Sequence, residues 1–79
     1  MTLHYGPALL EEAGQALYGE RWQSEMARAL GVKDSRRIRE WMAGDRTIPP
    51  GIWPELAELL RQRGAAATAL ADRLAAQNQ

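Results

Sequence analysis

Between Ser35 and Glu40 the run SRRIRE sets a hydroxyl, three guanidinium groups and a carboxylate close together. Arginine can donate two parallel hydrogen bonds to the major-groove edge of guanine, glutamate can accept from cytosine, and serine can do either. With Ile38, Trp41 and Met42 taken as a buried stripe, stepping about 100° per residue puts Arg36, Glu40 and Ala43 on the opposite side. Arg37 and Arg39 fall on the flanks, and Ser35 lies at the N-terminal end. Ser35, Arg36, Arg37, Arg39 and Glu40 are therefore the candidate base-reading residues, with small Ala43 leaving room for close approach to a groove wall. The bland alternative is a solvated face on which Arg36 pairs with Glu40 four residues on.

Those side chains need a scaffold, and the stretch from Gln23 to Gly44 reads as two short helices joined by a tight turn. Met26, Ala27, Leu30 and Val32 lie on one side of Gly31, and Ile38, Trp41 and Met42 on the other, each set at helical spacing. Gly31 sits where the first helix must stop, in a position that is commonly left-handed. Asp34 or Ser35 is expected to cap the next helix through a side-chain oxygen.

This stretch resembles the helix-turn-helix of the Cro/repressor-type (XRE-like) DNA-binding regulators. The likeness rests on Gln23 opening the first helix, small Ala27 at the helix crossing, Leu30-Gly31-Val32 at the turn, Ile38 and Trp41 on the inner face, and Gly44 closing the second helix. Ile38 lies one residue further from the turn glycine than is usual in the family. The resemblance implies that Ser35 to Ala43 is the recognition helix and that Gln23 supports a phosphate or base contact. It also places backbone contacts near Arg46 and Thr47. Gln23, Lys33, Arg46 and Thr47 are accordingly the expected phosphate positions, which give affinity and register without sequence information.

The charge distribution fits such a surface. Overall the chain is neutral, yet residues 21 to 46 hold seven basic side chains against four acidic ones, a net +3, while residues 1 to 20 carry three acids and no Lys or Arg. At 79 residues the chain predicts one small domain, for which burial alone leaves little margin and self-association is a common remedy. With no cysteine there is neither a disulfide framework nor a thiolate metal site, and a reducing interior is compatible. No apolar run reaches the roughly 18 residues of a membrane span, and the start lacks a basic leader. A cytoplasmic, nucleoid-associated protein of a bacterial or phage-infected cell is expected.

Residues 1 to 6 form a loose N-terminal arm in which His4 and Tyr5 could touch DNA or a partner. His4, the single histidine, has no clustered ligands around it, and neither metal nor cofactor is expected. Pro7 to Tyr18 is the first helix, with Pro7 suited to its first turn, and Gly19 as its stop. Glu11 and Glu12 point about 100° apart and cannot grip one substrate atom together. Trp22 takes a staple-like place before the second helix. Ile48-Pro49-Pro50-Gly51 is an extended connection. A helix then starts between Gly51 and Pro54, with Ile52, Leu56, Leu59 and Leu60 as its core stripe and Trp53 packing rather than stacking on a base. Gly64 interrupts it, and AAATALADRLAAQ returns to helix, as one long helix or two with a bend. Leu56, Leu60, Arg63, Ala67, Leu70 and Leu74 follow a heptad-like spacing, spoiled at Arg63.

The expected fold is all-α, a compact bundle of about five helices, with residues 7 to 63 as the DNA-binding domain and 64 to 79 as a C-terminal helix for dimerisation or core capping. Ala67, Leu70 and Leu74 are the candidate dimer contacts. The resemblance implies a homodimeric, sequence-specific regulator, a repressor or autorepressor of a small phage or mobile-element operon, on an inverted-repeat operator. Regulators encoded beside anti-CRISPR genes look similar. The rival from another class is a protein-binding module such as an antitoxin or a phage-encoded inhibitor, favoured by the zero net charge and the Ala/Leu tail. An enzyme is not expected, since the chain has no cysteine, one histidine in the arm and no glycine-rich phosphate loop.

Overall fold

A computed structural model describes residues 5–76, and among these the chain forms four α-helices and a single 3-10 turn. Helix α1, Pro7–Tyr18, opens with Pro7 in its first turn, where the missing amide costs nothing. It stops at Gly19, whose φ of 78° is closed to most side chains. The 3-10 turn Gly19–Arg21 leads into α2, Trp22–Leu30. Helix α3 spans Ser35–Ala43, and α4 spans Ile52–Ala76.

Both inner helices end in the same way. Gly31 adopts φ 72° and Gly44 φ 84°. The Val32 amide then donates back to the Ala27 carbonyl at 3.0 Å and the Asp45 amide to the Glu40 carbonyl at 2.9 Å. These left-handed endings satisfy carbonyls that the helices leave open. Of the two candidate caps for α3, Asp34 is the one used: its Oδ1 accepts from the Arg36 amide at 2.9 Å.

Helix α1 is the central post of the body, packing on α2, α3 and α4, while α2 and α3 pack on each other. The core comprises Leu10 and Leu17 of α1, Trp22, Met26 and Ala27 of α2, Ile38 and Trp41 of α3, and Ile52 and Leu56 of α4. Leu10, Met26, Ile38 and Leu56 are fully enclosed, each contributing about 1.5–3 kcal/mol of burial. No polar or charged side chain is buried among the described residues. Trp22 goes deeper than a staple: its ring lies against Gly14, so closely that a Cβ at that position would come within 2.1 Å of the indole. The glycine is what lets α1 and the start of α2 close.

The expected count of about five helices is corrected, and of the two alternatives at Gly64 the single long helix is the one that forms. Gly64 does not break the chain, because α4 runs through it without interruption, giving four helices rather than five. A helix-interior glycine costs only about 1 kcal/mol, and the leucines and alanines around it restore that. Nor does the tail cap the core: residues 61–76 are exposed throughout and carry α4 away from the body, in a molecule measuring 54 × 33 × 19 Å. Arg63 marks the departure. Its guanidinium donates to the Leu17 carbonyl at the end of α1 and lies 5.8 Å from the centre of the Tyr18 ring. A cation there also suits the negative end of the α1 dipole. Though 25 residues long, α4 is not apolar enough to cross a membrane, and no other helix among the described residues is either.

Candidate nucleic-acid interface

The stripe that buries α3 decides what its other side can do. Ile38 and Trp41 are enclosed and Met42 is half-buried, so the helix is held by the side that the spacing predicts, and Arg36, Arg39 and Ala43 are exposed on the other. Ser35 is half-buried at the N-terminal end, and its Oγ accepts from Arg39 Nη1 at 2.9 Å. This contact draws one guanidinium back along the face towards the start of the helix. Arg36, Arg39, Lys33 and Arg21 have no carboxylate partner among the described residues. Four cations without a carboxylate partner thus stand around the two helix N-termini, with one Arg39 donor taken up by Ser35.

Glu40 has a different environment. Its Oε1 lies 3.2 Å from Arg46 Nε and 3.6 Å from Arg37 Nε, and the Arg46 contact is a hydrogen bond. The carboxylate therefore faces two arginines of its own chain, one on α3 and one from the loop beyond Gly44. The Arg36–Glu40 pair of the solvated-face alternative is not the one that forms; the i,i+3 partner Arg37 and the more distant Arg46 take it instead.

The sequence-derived positions fall into three neighbouring hollows. One, between the starts of α2 and α3, is lined by Glu20, Arg21, Gln23, Ser24, Ser35 and Arg39. Gln23 is half-buried here beside two of the candidate readers. A second hollow brings Lys33 and Arg46 to the side of Arg36, Arg37 and Glu40. Thr47 is not in either group; it lies with Arg46 in a third hollow beside Gly6, Pro7 and Trp41. Arg21 and Ser24 are not among the sequence-derived positions. Ser24 carries a signal, as the neighbour of Gln23 at the first turn of α2, but Arg21 is brought round only by the 3-10 turn, which periodicity does not reveal.

The other candidate surfaces lie elsewhere. His4 is outside the described residues, whereas Tyr5 packs its ring on Trp53 with centroids 5.3 Å apart, a packing role for both aromatics. Ala67, Leu70 and Leu74 are all exposed on the projecting half of α4.

Chemically, the outward side of α3 is a donor surface: guanidiniums, an ammonium nearby and a serine hydroxyl, with the one carboxylate of the helix engaged at its edge. Arg28, by contrast, is paired with Glu25 on the exposed side of α2 at 3.2 Å and adds little net charge. No family model, curated protein or solved structure matches this chain.

Proposed function

We propose that the chain is a sequence-specific, double-stranded DNA-binding regulator that inserts α3 into the major groove. The observation that carries this reading is the outward face of α3, where Arg36 and Arg39 stand exposed with Ala43, beside Ser35, and neither guanidinium is ion-paired to a carboxylate among the described residues. A helix of this width fits the groove, and arginine donor pairs match guanine. Ser35, Arg36, Arg37 and Arg39 read bases. Glu40 either accepts from cytosine or holds Arg37 and Arg46 in place, and its ion pairs favour the second role. Gln23, Lys33, Arg46 and Thr47 meet phosphates, joined by Arg21 and Ser24. The resemblance of the Gln23–Gly44 stretch to the Cro/repressor-type helix-turn-helix supports the same assignment.

In this reading two copies bind an inverted repeat in the cytoplasm of a bacterial or phage-infected cell, and repression follows from excluding polymerase at a promoter, its own operon's included. Selection of bound duplexes from a randomised library tests this directly. A motif with two-fold symmetric halves is the expected product, with affinity falling steeply as salt rises, since neutralised phosphates release counterions. A folded protein that enriches no sequence would overturn it. The second reading, a protein-binding module such as an antitoxin or inhibitor, draws on one observation: Leu70 and Leu74 are 51% and 60% exposed on a helix that leaves the body.

A further inference from the structure

The core stripe of α4 outlasts what covers it. Ile52 and Leu56 are buried against the body, and Arg63, one to two turns further on, ties α4 to the last turn of α1. Beyond Arg63 the same face continues at spacings of four, three and four residues through Ala67, Leu70 and Leu74, all exposed. No other described segment reaches this half of the helix, since α4 packs chiefly on α1 and α1 ends at Tyr18.

We infer that this face is covered by the same face of a second copy, with the two α4 helices antiparallel and Ala67 packed against Leu70 of the partner subunit. The inference rests on the dimeric DNA-binding reading for its purpose but not for its test. Three features select the antiparallel arrangement. A small side chain then faces a large one at each central layer, which lets two helices approach closely and fill the seam. Arg63 faces Leu74 of the partner subunit, whereas parallel helices would set the Arg63 guanidiniums against each other, a repulsive pairing. Finally, the two-fold point falls between Ala67 and Leu70, some eleven residues from the middle of the packed half of α4. Twice that run, at about 1.5 Å per residue, sets the midpoints of the two packed halves roughly 33 Å apart along the seam, so the bodies stand clear of each other, whereas parallel helices would set them side by side. The seam is short beside a standard interface, so the dimer forms at micromolar concentration and is reinforced on its operator.

Because the chain has no cysteine, single-cysteine variants report the pairing without interference. Ala67→Cys and Leu70→Cys, one of them carrying a mass tag, are oxidised alone and as a mixture, without DNA and at micromolar concentration. Both sites are exposed, and circular dichroism verifies that helix content is kept. The antiparallel seam predicts that the mixed disulfide exceeds the share that random pairing gives, and that either variant alone links several-fold less. Dominant same-site disulfides would overturn it in favour of parallel helices. Absence of linked dimer would overturn it in favour of a different protein partner on α4. Neither result bears on base reading, which the arginine variants test separately.

Discussion

Arg46, two residues past the Gly44 cap of α3, donates to the Glu40 carboxylate across 3.2 Å and so fastens the exit loop to the helix. Arg37 approaches the same oxygen at 3.6 Å. One carboxylate therefore moderates two of the cations that flank the outward face. Exposed pairs of this kind contribute about 0–1 kcal/mol to stability, so their consequence lies in where the arginines are held.

Replacing Glu40 by Gln is expected to leave the fold intact and to raise affinity for duplexes of random sequence. Released from the negative charge, Arg46 or Arg37 engages one more phosphate, and the slope of log affinity against log salt steepens by about one. Anisotropy titrations at several salt concentrations measure it. Reduced affinity for random duplex would argue that Glu40 does not restrain these arginines.

Gly14 underlies Trp22, and Gly14→Ala is expected to destabilise the protein by roughly 1–3 kcal/mol, the usual cost of overpacking a core. Alanine's better helix propensity, worth about 1 kcal/mol, runs the other way. A Cβ within 2.1 Å of the ring cannot be accommodated without moving the indole or α1. Urea denaturation gives the sign, and a variant as stable as the parent would refute the close approach.

Asp34→Ala removes the side chain that accepts from the Arg36 amide, and a loss of about 1 kcal/mol is expected from the missing cap. Asp34→Asn should recover most of it, since asparagine caps nearly as well. Equal losses in the two variants would mean that the cap is not what Asp34 supplies.

At Gly64 a new Cβ would meet nothing within 4 Å. Gly64→Ala is therefore expected to stabilise α4 by about 1 kcal/mol at concentrations where the chain is monomeric. Thermal unfolding followed at 222 nm measures the gain; a loss would mean that the helix bends there in solution.

Much of this arrangement is legible in the chain itself, for local reasons. Pro7, Gly19, Gly31 and Gly44 fix where helices begin or end through their own φ preferences, and the α1 and α3 bounds follow from them. Ile38 and Trp41 repeat at the helical period, so the buried side of α3, and with it the outward placing of Arg36 and Ala43, follows from residue spacing, whereas the exposure of Arg39 on the flank and the half-burial of Glu40 do not. What is not legible depends on pairings between elements. Gly14 looks like a mere weakness in a helix until Trp22, eight residues on, is seen against it. Arg63 looks like a flaw in an apolar stripe until it meets the end of α1. Gly64 carries a real helix penalty, but a penalty of that size does not decide a helix flanked by strong helix formers. Of the candidate site, the hollow shared by Gln23, Ser35 and Arg39 follows from the two-helix geometry, whereas Arg46 folding back on Glu40 depends on the path of the loop.

The guanidiniums of α3 that have no carboxylate partner among the described residues are proposed to read base edges, and Arg39→Ala on the duplex recovered by selection tests this most directly. With helix content unchanged, specific affinity is expected to fall by roughly 1–3 kcal/mol, about tenfold or more, while binding to scrambled duplex changes far less. Unaltered affinity for the selected duplex in the same titration would contradict the assignment of α3 as the reading helix.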